Sequence, residues 1–327
     1  MTVRAFFRST KVKNATSPYD TIHLKIFYPA LMSGSELEKT QGNIPADSQK
    51  APFPIVIFFG GVNCGAENYQ WLAVKLAETG IVVVTFVWVA ENLPGMIALT
   101  PGIDTKVLAP NIYGTAPTAS ALPALLAELE SLQTEGLLAG MLNLQQVILG
   151  GHSAGGRVAL ENANPEFFPQ VVAAFAYAAH SAAPMMLGFP ADTFLSLPST
   201  LPMLLIGGTC DGVIANSRHI YGIKEESPTR SVMRTFREAI TANRNDCYSI
   251  IIDGANHYSI VHPQDPTTDR AFLDFPTTQP EAEIRSLIAE LIALFIDAHA
   301  RQKPEALATL DKIKNQSNSL IAAFERK

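Results

Sequence analysis

The amino-acid sequence predicts an α/β fold, a mostly parallel twisted sheet of about eight strands with helices on both faces. Three observations carry this expectation. Continuous apolar runs of strand length recur along the chain, as strands buried on both faces require. Segments with apolar residues at three- and four-residue steps separate those runs, the rhythm of crossover helices. Two long connections leave the carboxyl ends of expected strands, which is where open α/β sheets carry their sites. The whole chain, 1–327, reads as a single domain, a length that α/β folds reach as one unit.

Taken in order, residues 3–12 and 21–28 alternate and are rich in β-branched and aromatic side chains, with a turn at 14–20. They form a hairpin-like pair within an N-terminal segment, 1–30. Residues 33–52 are polar and carry Gly34, Gly42, Pro45 and Pro52, so a long exposed loop is expected. The buried strands follow at 53–59, 81–89, 147–149, 171–179, 203–206 and 248–252. Helices are expected between them, first at 67–78, closed by Gly80. A second spans 117–134, where Leu122, Leu125, Leu126, Leu129 and Leu132 share a stripe. Others fall at 154–163, 231–241 and 281–300. A last helix over 304–324, in the C-terminal segment 303–327, opens on Pro304, a residue suited to a first turn. The connections 91–116 and 180–202 are left as apolar cap or pocket loops.

Composition narrows the function. Hydrophobic residues make up 47% and charged ones 17%, enough for a large core and unlike a disordered chain. A net charge of −6 without long runs of like charge argues against nucleic acid or an anionic membrane as partner. The longest strongly apolar stretch, 81–90, is too short to cross a bilayer, so no integral membrane segment is expected. The first ten residues lack the apolar core and cleavage site of a secretory signal, which predicts a cytoplasmic protein, or a secreted one if such a segment has been removed. Cys64, Cys210 and Cys247 are odd in number and show no CxxC or metal spacing. Three reduced thiols are expected, with a Cys210–Cys247 disulfide as the alternative.

The chemistry centres on Gly151-His152-Ser153-Ala154-Gly155, a GxSxG between an expected strand and an expected helix. A strand that bends sharply into a helix strains its central residue, and side chains two positions either way would collide. The bend holds the Ser153 hydroxyl clear of the sheet and aims the helix's unpaired N–H groups at a developing oxyanion. A serine hydroxyl needs a base to become a nucleophile. Five histidines lie downstream, and His257 follows the strand 248–252 through a glycine turn, on a loop at a strand's carboxyl end. His219 and His299 fall within helical patterns, His262 is the reserve base, and His180 is placed to line a pocket. Asp211 ends the preceding strand through Gly207-Gly208-Thr209-Cys210 and suits the acid that orients an imidazole, while also fitting a helix N-cap. Asp253 and Asp192 compete for that role. The two oxyanion donors are the N–H of Ala154 and one from Gly60-Gly61-Val62-Asn63, assigned to Val62 with Gly61 and Asn63 as near alternatives.

The pocket is expected to include Gly61, Asn63, Trp88, His152, Met185 and Met186. Leu93, Met96, Ile97 and Leu99 on one connection, with Leu187, Phe189, Phe194 and Leu195 on the other, favour a hydrophobic acyl or alcohol part. Arg157 is expected to pair with Glu161 one turn on.

Several segments together resemble the α/β-hydrolase superfamily, in its branch of dienelactone-hydrolase-like, chlorophyllase-like and polyester-hydrolase-like enzymes. They are Ile26-Phe27-Tyr28-Pro29-Ala30, Phe58 to Gly61 with Tyr69, the stretch 76–83, the elbow 151–156, and the turns 207–211 and 254–257. The resemblance covers about residues 20–300 and is most specific at the elbow. It implies hydrolysis of a small-molecule carboxylic ester through an acyl-enzyme on Ser153, with no cofactor and no metal. Phe59 departs from the pattern, standing where a histidine usually precedes the oxyanion glycines. Val62 also lacks the aromatic clamp of polyester hydrolases, so that substrate is not carried over. The same triad would equally serve acyl transfer or cyclisation in biosynthesis, and a non-catalytic binding protein on this fold is the reading from another class.

Overall fold

Among the described residues ten strands form a single mixed sheet, in the order β1-β2-β4-β3-β6-β7-β8-β9-β10, with β5 paired to β4 alone. The computed structural model describes residues 2–327 except 94, 242–243, 269 and 317, and the side chains of 37, 92, 93 and 96 also lie outside the description. The expectations for the Leu93 and Met96 side chains therefore fall outside the described residues. β1 (Thr2–Lys11) and β2 (Thr21–Ala30) are the antiparallel N-terminal pair, and β2 joins the main sheet against β4 (Val82–Leu93). From β4 the sheet is parallel through β3 (Phe53–Phe59), β6 (Leu142–His152), β7 (Val171–Tyr177), β8 (Met203–Gly208) and β9 (Cys247–Ile252).

The continuous apolar runs have a simple cause in this arrangement. All seven residues of β3 are buried, with Ile55, Ile57 and Phe59 entering one core layer and Val56 and Phe58 the other. The first layer is closed by α3 (Leu122–Thr134) and α4 (Ala154–Glu161), through Leu122, Leu125 and Val158. The second is closed by α2 (Gln70–Glu78) and α7 (Glu281–His299), through Leu72, Leu76, Leu287 and Phe295. Helices on both faces leave no polar side for these strands.

Four expectations change. The strands number ten among the described residues, not about eight: β5 (Met96–Leu99) lies in the expected loop and β10 (Ile321–Arg326) in the expected last helix. β5 folds back on the extended end of β4, so the connection 91–116 begins as a two-stranded ribbon. The last helix, α8 (Pro304–Asn315), stops well short of residue 324; the polar run from Asn315 to Ser319 breaks its stripe. β10 then pairs antiparallel with β9, and Phe324 stands opposite Ile250. The loop 33–52 contains a short helix, α1 (Glu36–Gln41), where Ser35 Oγ accepts the Glu38 N–H and Gly42 takes a left-handed φ of 69°. Between β8 and β9, α5 (Gly212–Asn216) and α6 (Arg230–Arg234) are short, and a π-helical turn over Thr235–Ala239 extends the second.

None of the three cysteines is in a disulfide. A Cys210–Cys247 bridge is ruled out by the parallel pairing of β8 and β9. Cys247 opens that pair opposite Met203, while Cys210 lies beyond its far end, roughly 15 Å or more away at about 3.3 Å per residue. Among the described residues no helix is long and apolar enough to cross a membrane.

Candidate active site

The residue between β6 and α4 is Ser153, with φ 54° and ψ −124°, a conformation that non-glycine residues hold only under constraint. Glycines make the bend possible. A Cβ on Gly151 would lie 2.4 Å from the Gly155 carbonyl, and one on Gly155 would lie 2.3 Å from the carbonyl oxygens of Phe59 and Gly60. The same close approach brings the loop after β3 against the start of α4.

Two further loops converge on the bend from the carboxyl ends of β8 and β9. His257 Nε2 lies 2.9 Å from Ser153 Oγ, and His257 Nδ1 lies 3.0 and 2.9 Å from the two Asp211 oxygens. Asp211 is fully buried and His257 is 3% exposed, while Ser153 is partly open to solvent. Asp211 serves two purposes: its Oδ1 also accepts the Ile214 N–H at 2.8 Å, capping α5.

The other candidates are engaged elsewhere. His262 is exposed. Asp253 accepts hydrogen bonds from Thr209 and Gln279, and Asp192 pairs with Arg234. His219 is exposed and its Nδ1 meets the Asn216 carbonyl, whereas His299 Nε2 meets Tyr248 Oη at 2.8 Å. The His180 ring stands edge-on to Tyr221, and burial, aided by the Arg157 and His257 charges, lowers its pKa to about 3.

In the loop after β3, the Gly61 N–H donates to Tyr69 Oη at 2.9 Å and the Asn63 N–H to the Leu99 carbonyl at 3.0 Å. Among the described residues neither the Val62 nor the Ala154 N–H meets an acceptor. Asn63, at φ 53°, also accepts the Leu99 N–H through Oδ1, clasping this loop to β5.

No protein-family model and no curated protein matches the chain.

The residues expected to line a pocket differ widely in exposure. His152 is wholly buried, because it is the last residue of β6 and points away from Ser153 into the sheet's cover; its ring nitrogens meet Tyr69 Oη and the His257 carbonyl oxygen. Trp88 is 6% exposed, with its indole N–H donating to the Tyr19 carbonyl, so it seals the N-terminal turn onto β4. Met185 and Met186 sit on a one-turn helix, 42% and 75% exposed. The Arg157–Glu161 pair is present at 2.7 Å, and Arg157 also donates to the Ala182 carbonyl, tying α4 to the 180–202 connection.

Asp274 is a residue that sequence reasoning missed. Its Oδ1 accepts the N–H groups of Gly212, His257 and Phe275, and its Oδ2 accepts that of Tyr258. One carboxylate thus gathers the acid loop and the base loop. Burial, the larger effect, and the Asp211 charge push its carboxyl above the usual range, while the His257 charge and the accepted N–H bonds pull the other way. No local pattern around Asp274 announces this, because every partner but Phe275 is distant in sequence. Tyr177 is similar, donating to the Asn256 carbonyl at 2.6 Å from within β7. Among the described residues no group of three or more His, Cys, Asp or Glu could hold a metal ion.

Proposed function

We propose that this chain is a serine hydrolase of the α/β-hydrolase kind, cleaving a carboxylic ester through an acyl-enzyme on Ser153. The observation that carries the reading is His257 bridging Ser153 Oγ and the buried Asp211 carboxylate at hydrogen-bond distance, on a strained strand-to-helix bend. In this reading Ser153 Oγ attacks the ester carbonyl while His257 Nε2 takes its proton. Asp211 holds the Nδ1–H tautomer and stabilises the imidazolium that forms. The carbonyl oxygen, as its charge develops, is met by the N–H groups of Ala154 and Val62. His257 then protonates the leaving alcohol, and water, activated by the same imidazole, releases the acid. Every step uses this chain's own residues.

A hydrophobic acyl or alcohol part is favoured by the β4–β5 ribbon. Val89 and Ile97 are 43% and 57% exposed. They stand on the ribbon face with Leu99, and the Asn63–Leu99 clasp ties that ribbon to the loop carrying Val62.

The test is turnover of p-nitrophenyl esters of increasing chain length, with a fluorophosphonate probe for Ser153. Ser153→Ala and His257→Ala should each lower kcat by on the order of 10⁴-fold or more, and the double variant no further, because the pair acts as a unit. Normal turnover in Ser153→Ala, or no labelling of the wild-type protein, sinks the reading. Adding alcohol or amine acceptors separates hydrolysis from acyl transfer.

A further inference from the structure

Behind the reacting atoms runs a second chain of polar groups, buried throughout, that joins the two loops flanking Ser153. The Gly61 N–H donates to Tyr69 Oη at 2.9 Å, Tyr69 Oη lies 2.9 Å from His152 Nδ1, and His152 Nε2 lies 3.0 Å from the His257 carbonyl oxygen. Tyr69 is 1% exposed and His152 not at all.

The ends of this chain set the direction of every bond in it. A backbone carbonyl only accepts, so His152 Nε2 carries the hydrogen. A neutral ring then leaves Nδ1 as an acceptor, Tyr69 donates to it, and the tyrosine oxygen accepts from Gly61. Burial, reinforced by the neighbouring His257 charge, drives His152 well below the usual imidazole range. The ring stays neutral, and the polarity holds. A protonated ring would present two donors and break the bond from Tyr69.

The bend itself does not ask for a histidine. Its steric demands fall on Gly151 and Gly155, and position 152 is free of them. In so dry a place two apolar side chains would fill the volume without needing partners, whereas a polar pair is tolerated only when fully satisfied. A satisfied pair of fixed polarity specifies geometry.

We infer that Tyr69 and His152 are positioning residues that hold the oxyanion loop and the base loop in register with each other. At one end the chain occupies the Gly61 N–H, which leaves the Val62 N–H turned toward substrate. At the other it fixes the main chain of His257, so that the ring stays in line between Ser153 and Asp211. The inference rests on the hydrolase reading above, since register matters only if these groups act together on one carbonyl.

The experiment uses the full chain and a p-nitrophenyl ester turned over by the wild-type protein. Tyr69→Phe removes one oxygen and keeps the ring. His152→Leu removes both ring nitrogens. His152→Gln can accept from Tyr69 through its amide oxygen and donate its amide hydrogen to the His257 carbonyl, preserving the direction of the chain. Tyr69→Phe and His152→Leu should each lower kcat about 10-fold or more with KM within about twofold, the pattern of misplaced reacting groups and not of lost substrate binding. The double variant should be no slower than the worse single one, because a chain broken once is broken. His152→Gln should recover most of the loss. If His152→Leu does not fold, a slow Tyr69→Phe beside a nearly normal His152→Gln still supports the inference. Wild-type kcat in Tyr69→Phe, a loss confined to KM, or a folded His152→Gln slower than Tyr69→Phe would each overturn it. A wild-type protein that neither hydrolyses ester nor takes the fluorophosphonate brings down the hydrolase reading, and this inference with it; active wild type with an unaffected Tyr69→Phe brings down the inference alone.

Discussion

Asp211 is asked to do two things with one carboxylate, and the two can be separated experimentally. Oδ1 caps α5 through the Ile214 N–H, and both oxygens face His257 Nδ1. Asparagine can keep the cap, because its amide oxygen still accepts. Its amide nitrogen, however, then faces Nδ1 and favours the tautomer with the hydrogen on Nε2, where Ser153 needs an acceptor. Asp211→Asn should therefore lower kcat by on the order of 10⁴-fold while leaving the melting temperature close to wild type. A near-normal kcat would refute the tautomer argument, and a large fall in melting temperature would mean that asparagine does not keep the cap. Such residues were legible because their signals are local: glycines around Ser153, a strand and glycine turn before Asp211, another before His257. Asp274, Tyr69 and His152 act across long stretches of chain. What each touches is decided by the packing of β3, β6 and β9, which no short window contains.

Among the elements, β10 is where sequence reasoning and structure part most clearly. Leu307, Leu310 and Ile313 set a helical stripe, and extending it to Phe324 required only that the period persist across a polar break. The chain instead reverses and adds a strand beside β9, with Phe324 edge-on to Tyr248 at 6.1 Å and the Lys327 backbone exchanging hydrogen bonds with Cys247. A short run such as Ile321-Ala322-Ala323-Phe324 fits either period, and only the open edge of β9 decides between them. Phe324→Ala should cost about 2 kcal/mol, below the 3–5 of a fully buried phenylalanine because this one is half-buried. Ala322→Ser, at an exposed position of the same strand, should stay within about 0.5 kcal/mol. Urea unfolding of the two variants measures both, and equal midpoints would place Phe324 outside the packing described. The ribbon of β4 and β5 was missed for a related reason. Pro94-Gly95 is a turn signal, but the short runs either side of it extend a strand whose buried part already accounts for the apolar run.

At the scale of the whole molecule, closing both faces of the sheet places ionisable rings in dry or half-buried surroundings, His152 wholly buried and His180 and His299 partly so, and this gives stability a pH dependence whose sign can be worked out. Burial is the leading cause in each case: it lowers His180 to about 3 and His299 to about 4, and carries His152 well below its ordinary value. In the unfolded chain these imidazoles return to about 6.5. Above that pH neither state holds the protons, and the folded state keeps its full advantage. As the pH falls through 6.5 the unfolded chain takes up protons that the folded chain refuses, so stability declines steadily toward the folded values near 4 and 3. Asp274, raised by burial, has the opposite sign, since its folded carboxyl accepts a proton more readily. Thermal melts at pH 7, 6 and 5 should therefore show a falling melting temperature well before carboxylates titrate. His299→Gln removes one of the excluded protons while its amide oxygen still accepts from Tyr248 Oη, so its melting temperature should fall less steeply over the same interval. A wild-type melting temperature that is level from pH 7 to 5 would mean that the folded protein takes up these protons as readily as the unfolded chain, and a slope unchanged in His299→Gln would remove His299 from the account.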